Sequence, residues 1–211
     1  MPVRGVYEDS YQEVTQSDIV DLALPSGIKW AGYNLGATKC EELGDYLAWG
    51  ESDTKESYDW DGYLLGSGAS SEQMDKYNPL DGLTYLVREN DAAYQRLGGP
   101  YWRMPTIDEW EELKTKCIWT EITINGRRGY LVKSPRNGNA IFLPFSGYLD
   151  GTQLKDGMRP RYWSSSSTLK WGYRVDGYRE YARNLNDGCL DGSTTYGDYR
   201  YFGMPIRGVK D

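Results

Sequence analysis

One segment of the chain reads as a helix from end to end, and its surroundings do not. Pro105 precedes Thr106, a good N-cap, and Glu109 stands three residues later, completing a capping box. Ile107, Trp110, Leu113 and Cys117 recur at helical spacing. Asp108, Glu109, Glu111 and Glu112 load the first turns with negative charge, which suits the helix dipole. Such a helix must bury its apolar stripe against another layer. The rest of the sequence offers only short apolar runs. Val20-Asp21-Leu22-Ala23-Leu24 ends at Pro25-Ser26-Gly27 and is followed by Ile28-Lys29-Trp30-Ala31. Residues 119–124 lead into Asn125-Gly126, a strong hairpin signal, and Gly129-Tyr130-Leu131-Val132 returns. Asn137-Gly138-Asn139 then precedes Ala140-Ile141-Phe142-Leu143-Pro144. Runs this short, bounded by Gly, Pro and Asn, read as strands. The expected class is α+β, with two helices and a mixed, mostly antiparallel sheet joined by long loops.

The second helix is expected over about 84–97, where Asp91, Ala92, Ala93 and Leu97 give part of an apolar face and Gly98-Gly99-Pro100 stops it. Residues 51–80, rich in Ser, Gly, Asp and Tyr, read as a long surface loop, either functional or an insertion. Residues 1–19 are polar and read as an N-terminal arm or first strand, leaving 20–211 as the domain. Trp30, Trp49, Trp110 and Trp163 are expected in the core, and Trp102 and Arg103 in core or capping roles. The last 65 residues carry no helix signal.

Several chemistries are excluded by residue type. The chain has no His, so a Ser-His-Asp or Cys-His device and any His-containing zinc site are ruled out. Its three cysteines, Cys40, Cys117 and Cys189, lie about 70 residues apart without a CxxC, and read as free or buried thiols, the alternative being one disulfide with an odd thiol left over. A net charge of −7 argues against nucleic acid and against docking on anionic lipid. No apolar run reaches the roughly 18 residues of a membrane span, and no signal peptide is visible at the first residues. No cofactor is expected.

Certain residues carry a family resemblance. The run 20–31 with Asn34-Leu35-Gly36-Ala37, and then Gly44-Asp45-Tyr46-Leu47-Ala48-Trp49-Gly50-Glu51, resembles the opening of the Fibrobacter major-paralogous type of domain, common in Bacteroides-group bacteria and their phages. Trp102-Arg103-Met104-Pro105-Thr106 with Glu109-Trp110-Glu111-Glu112-Leu113 resembles the second-helix signature of formylglycine-generating-enzyme-like C-type lectin folds. Residues 141–148, Tyr162-Trp163-Ser164-Ser165-Ser166 and Gly203-Met204-Pro205-Ile206-Arg207-Gly208-Val209 continue the pattern in order. The resemblance implies a C-type lectin-like fold over roughly 20–209.

Members of that fold include the variable proteins of diversity-generating retroelements. There an error-prone copy at adenines scatters AAY codons, which can become Tyr, Asp, Ser, Gly or Arg but never Lys, Glu, Gln, Met or Trp. Those five types fill 41 of 211 positions, so about six would fall by chance in residues 172–203; only Glu180 does. The resemblance therefore implies a variable region over 172–202, ending before the constant-looking Met204-Pro205-Ile206-Arg207. Read independently, this stretch has the Tyr, Ser, Gly, Asp and Asn composition of an antibody paratope. The expected ligand-binding residues are Tyr173, Asp176, Tyr178, Tyr181, Asn184, Asp187, Asp191, Ser193, Thr195, Tyr196, Asp198, Tyr199, Tyr201 and Phe202. Val175, Leu185, Leu190 and Ile206 are expected to face inward.

The expected function is non-enzymatic binding of a protein or glycan on another cell or virus, with the chain displayed outside the cell, on its surface or on a phage tail. The alternatives are an adhesin of the same fold with fixed specificity and, more remotely, a formylglycine-generating-type oxidase. The latter relies on a close pair of C-terminal cysteines, whereas Cys189 stands alone in that half. No metal site is expected, since the calcium motifs of sugar-binding lectins are absent; Asp59-Trp60-Asp61-Gly62 and Asn184-Leu185-Asn186-Asp187 offer only scattered oxygen ligands.

Overall fold

A computed structural model describes residues 14–15, 18–67, 74–168, 181–185 and 197–211, Tyr181 by its backbone alone. Asn125-Gly126 makes the expected two-residue turn, with φ of 47° and 80°, the mirror-image form that matches strand twist. It joins β4 (Ile118–Ile124) to β5 (Arg127–Lys133), and β6 (Ala140–Pro144) pairs with β5 on its other side.

A second sheet has the order β1-β2-β12-β3: β1 (Ile19–Val20), β2 (Lys29–Ala31), β12 (Val209–Lys210) and β3 (Trp102–Arg103). The beginning of the domain is thus paired with its end, Trp30 opposite Val209. The third sheet is β11-β10-β9, built from β9 (Tyr162–Ser167), β10 (Tyr181–Leu185) and β11 (Asp198–Tyr199). A hairpin of β7 (Tyr148–Asp150) and β8 (Gln153–Lys155) completes the set. The α+β class holds. One mixed sheet does not: among the described residues every strand pairing is antiparallel, and the strands form four small sheets. Strands of two to seven residues, broken so often by Gly and Pro, keep each sheet small, and main-chain bonds such as Leu35 N–H to the Ile206 carbonyl and Trp163 N–H to the Pro205 carbonyl tie the segments between them.

The helices are α1 (Ala92–Arg96) and α2 (Ile107–Lys116). The capping box of α2 forms as expected. Thr106 Oγ1 accepts from the Glu109 N–H at 3.3 Å, and the Glu109 carboxylate accepts from the Thr106 N–H at 2.7 Å. Arg103 supports the cap by gripping both Glu109 oxygens, at 2.8 and 2.6 Å. Ile107, Trp110 and Leu113 are buried.

The first helix is shorter than expected. Tyr85 bridges to Ser166, and the Leu86 N–H donates to the Ser165 carbonyl at 2.9 Å, so this stretch runs extended along β9. A single 3₁₀ turn follows at Arg88–Asn90, and Asp91 caps α1 by accepting from the Tyr94 N–H. A pairing across about 80 residues has overridden local helical preference.

All four core tryptophans are at most 1 % exposed. The rings of Trp30 and Trp110 meet at 4.7 Å, and Trp49 and Trp163 donate their indole N–H groups to the Ser164 and Leu47 carbonyls. β9 is buried along its whole length, hence its run of small serines. Ser164 Oγ donates to the Arg183 carbonyl and Ser166 Oγ accepts from the Ile107 N–H, so these buried polar groups are satisfied.

Arg207 is fully buried between sheets. Its guanidinium donates to Asn34 Oδ1 at 2.9 Å and to the carbonyls of Ala31, Gly32 and Phe142 at 3.0, 2.6 and 2.8 Å. Burial pushes its pKa down, and no carboxylate among the described residues pairs with it. Carbonyl dipoles balance the charge.

Residues 51–67 and 74–80 are not merely a surface loop. Tyr58, Tyr63 and Met74 pack with Ala48 in a small core of their own, and Tyr77 is fully buried. These side chains follow no helical or strand period, so the sequence pattern hid them.

Candidate functional site

The Tyr-rich segment enters the fold through β10 and β11, which pair Tyr181 with Tyr199 and Ala182 with Asp198. Burial alternates along 199–202. Asp198, Tyr199 and Tyr201 are half-buried, whereas Arg200 is fully buried and Phe202 is 7 % exposed. Arg200 locks this alternation. Its guanidinium lies 4.9 Å from the centre of the Trp49 ring and donates to the Lys76 and Tyr77 carbonyls at 3.1 and 2.9 Å. Residues 199–202 form a turn closed by the Phe202 N–H on the Tyr199 carbonyl at 3.0 Å, and with Arg200 held inside, Tyr199 and Tyr201 stay half-buried beside each other.

Of the expected binding residues, Asp198, Tyr199 and Tyr201 come together at one place. Asn184 and Phe202 belong to the interior beneath them. Asn184 is 2 % exposed and donates to Asp198 Oδ2 at 2.8 Å; Phe202 packs on Tyr148 at 4.5 Å and on Tyr201 at 4.8 Å. Both shape the surface from below. Of the expected inward residues, Leu185 and Ile206 are each 1 % exposed. Tyr173, Asp176, Tyr178, Asp187, Asp191, Ser193, Thr195, Tyr196, Val175 and Leu190 lie outside the described residues, as does the side chain of Tyr181.

Tyr199 and Tyr201 stack on each other, with centroids 5.5 Å apart and planes inclined by 17°. Trp60 meets Tyr201 at 4.7 Å and Tyr199 at 5.9 Å, steeply inclined to both. Beside them Arg161 bridges Asp198 and Asp156, at 2.7 and 2.8 Å, under the ring of Tyr148. Burial pushes the Asp198 carboxyl up, while Arg161 and Asn184 pull it back. The Tyr201 hydroxyl reaches toward Asp150, and burial with that neighbouring carboxylate raises its pKa. The phenol therefore stays neutral and able to donate. The site is an aromatic surface edged with carboxylates.

Sequence reasoning missed Trp60, Tyr148, Asp150 and Arg161 as members of this surface. All four lie outside 172–202. A signal existed for two: Tyr148 ends the Phe145-Ser146-Gly147-Tyr148 run, and Trp60 stands inside Asp59-Trp60-Asp61-Gly62. In that second motif Asp59 accepts from Ser57 Oγ at 2.6 Å and from the Gly62 N–H at 2.9 Å, shaping a turn.

A cation does sit in this loop, on a side chain. Lys55 Nζ lies 2.8 and 2.6 Å from the two oxygens of the buried Glu51 carboxylate, and also donates to the Gly62 carbonyl. Lys55→Met would leave Glu51 without its counter-charge. Because Lys55 keeps 18 % of its surface in water, the loss should be about 2 kcal/mol, below the range for fully buried pairs. Urea denaturation will measure it, with a chelator-treated parent alongside. The parent is expected to keep its midpoint; a parent that loses stability to the chelator while the variant matches it would refute the assignment.

Cys40 and Cys117 are free, and burial pushes their thiols up to about 12 and about 11, so both are protonated and unreactive near neutrality. Cys189 lies outside the described residues. Among the described residues no group of three or more Cys, Asp or Glu is arranged to hold a metal, and no helix is long and apolar enough to cross a membrane. The described residues form an α+β domain of small antiparallel sheets with a Tyr-rich aromatic surface. No family model, curated protein or solved structure matches the chain.

Proposed function

We propose that the chain is a non-enzymatic binding protein of C-type lectin-like fold, the variable protein of a diversity-generating retroelement. Its 172–202 segment presents changeable side chains to a protein or glycan on another cell or virus. Display outside the cell or on a phage tail follows from that role.

The carrying observation is the near absence of Lys, Glu, Gln, Met and Trp from residues 172–203, where only Glu180 breaks the pattern. The alternation at 199–202 supports the same reading. Tyr199 and Tyr201 are half-buried with part of each ring exposed, while the residues that hold the sheet, Ala182, Leu185, Arg200 and Phe202, lie inside. A surface can vary freely only where its support does not depend on the varying side chains. Tyr and Asp suit such a surface, since rigid rings give contact area at low entropic cost and carboxylates accept hydrogen bonds.

Sequencing the DNA around the gene tests the reading. The expected finding is a near-identical repeat of the codons for about 170–205, with mismatches confined to adenines, beside a reverse transcriptase gene. A flank without either refutes it.

A further inference from the structure

The proposed binding surface contains two rings that the Tyr-rich segment does not supply, Tyr148 and the larger Trp60, and Trp60 is the one that touches both surface tyrosines. Trp60 comes from the 51–66 loop and makes steep edge contacts with Tyr199, Tyr201 and Tyr63, at 5.9, 4.7 and 5.8 Å. We propose that Trp60 is the fixed positioning residue of this surface, holding Tyr199 and Tyr201 in their stacked arrangement. The inference rests on the binding function proposed above.

The loop is built to hold that indole still. Tyr58 and Tyr63, two and three residues to either side, are buried at 2 % and 3 % exposure, while Trp60 itself is only half-buried. Tyr58 exchanges both backbone hydrogen bonds with Gly151, at 3.0 and 2.7 Å, and its hydroxyl donates to the Tyr46 carbonyl. The Tyr63 hydroxyl donates to the Trp49 carbonyl at 2.8 Å. Lys55 ties Glu51 to Gly62 across the base of the loop. Gly203 lets the loop sit close to the end of the Tyr-rich segment, because a Cβ there would stand 2.9 Å from the Tyr58 ring.

Restrained on both flanks, Trp60 has little freedom to leave its neighbours. Edge-to-face contacts with two stacked rings favour the observed geometry over alternative rotamers. Rings already ordered before a ligand arrives lose less freedom on binding. A flat indole also accepts many partners, so it can support whatever replaces Tyr199 or Tyr201. Its own position lies outside the varying segment.

The test uses the full chain with Trp60 replaced by Phe, Leu or Ala. Tyrosine-labelled protein is read by NMR for contacts between the Tyr199 and Tyr201 rings, and each variant is checked by urea denaturation. Ring contacts are expected in the parent and in Trp60→Phe, and should be lost in Trp60→Leu and Trp60→Ala at near-parental stability. Leucine fills the space over the loop if alanine opens it. In parallel, positions 199 and 201 are randomised in the Trp60, Phe and Ala backgrounds and selected on streptavidin as probe. Clones from the Ala background are expected to bind at least about tenfold more weakly, the loss typical of removing an aromatic anchor. Ring contacts that persist without an aromatic at 60, or Ala-background clones of equal affinity, overturn the proposal. If no background yields a streptavidin binder while the ring contacts still depend on Trp60, the positioning role stands and the binding function fails.

Discussion

Arg207→Met is expected to unfold the domain or bring it close to unfolding. The side chain is fully buried and engages Asn34 and three backbone carbonyls from two regions of the fold, Ala31 and Gly32 on one side and Phe142 on the other. Methionine fills much of the volume and donates nothing. Each abandoned buried acceptor costs on the order of 1–3 kcal/mol. Relief from burying a guanidinium offsets part of that. The balance should be about 5 kcal/mol, comparable to the whole stability of a domain this size. Swapping a buried ion pair for apolar residues is often harmless because both partners go. Here the partners are mostly main chain and remain. Arg207→Lys should recover only part of the loss, since an ammonium cannot span the same fork. Urea denaturation followed by tryptophan fluorescence gives the comparison; a Met variant within 1 kcal/mol of the parent would show that the carbonyls find water instead.

Gly147→Ala should be the next most damaging change. Gly147 has φ of 57°, a conformation strained for any residue with a Cβ. A Cβ built there would stand 2.1 Å from the Lys155 carbonyl oxygen and 2.8 Å from the Gly157 nitrogen, both main-chain atoms that cannot swing aside. Strain and overlap together should cost about 4 kcal/mol. The site should suffer as well. Ser146 and Gly147 both donate to the Arg159 carbonyl, and Ser146 Oγ bonds the Arg161 carbonyl, so this crossing fixes Tyr148 against Arg161. A folded alanine variant is therefore expected to show shifted Tyr148 ring resonances. Parental stability with unchanged resonances would mean that the backbone crossing is soft.

The parts of the fold that could be read from the sequence were those decided locally. Thr106 and Glu109 cap α2 through bonds three residues apart, and Asn125-Gly126 sets its turn with its own dihedral angles. Tyr85 and Leu86 show the limit: their partners are Ser166 and Ser165, and no window of a dozen residues contains that pairing. The 51–80 stretch, read as a surface loop, misled for a related reason. Tyr58 is buried against Gly151 and Gly203, both distant in sequence, and Tyr63 is tied to Trp49, which lies before the loop. Composition marked the Tyr-rich segment as a surface, and the structure stacks Tyr199 on Tyr201 there. Composition could not assign Asn184 and Phe202 to the interior, because burial there follows from the Arg200 anchor and from β9 beneath.

The ammonium of Lys55 gives this loop an unusual independence. A loop organised by a dissociable ion gains stability only in proportion to how well its surroundings keep the site filled. Lys55 is joined to the chain four residues from Glu51, so its supply is the same in dilute medium, in brine or beside a chelating surface. A protein that holds its counter-ion by covalent bonds needs no external ion to keep this loop closed and Trp60 in place with it.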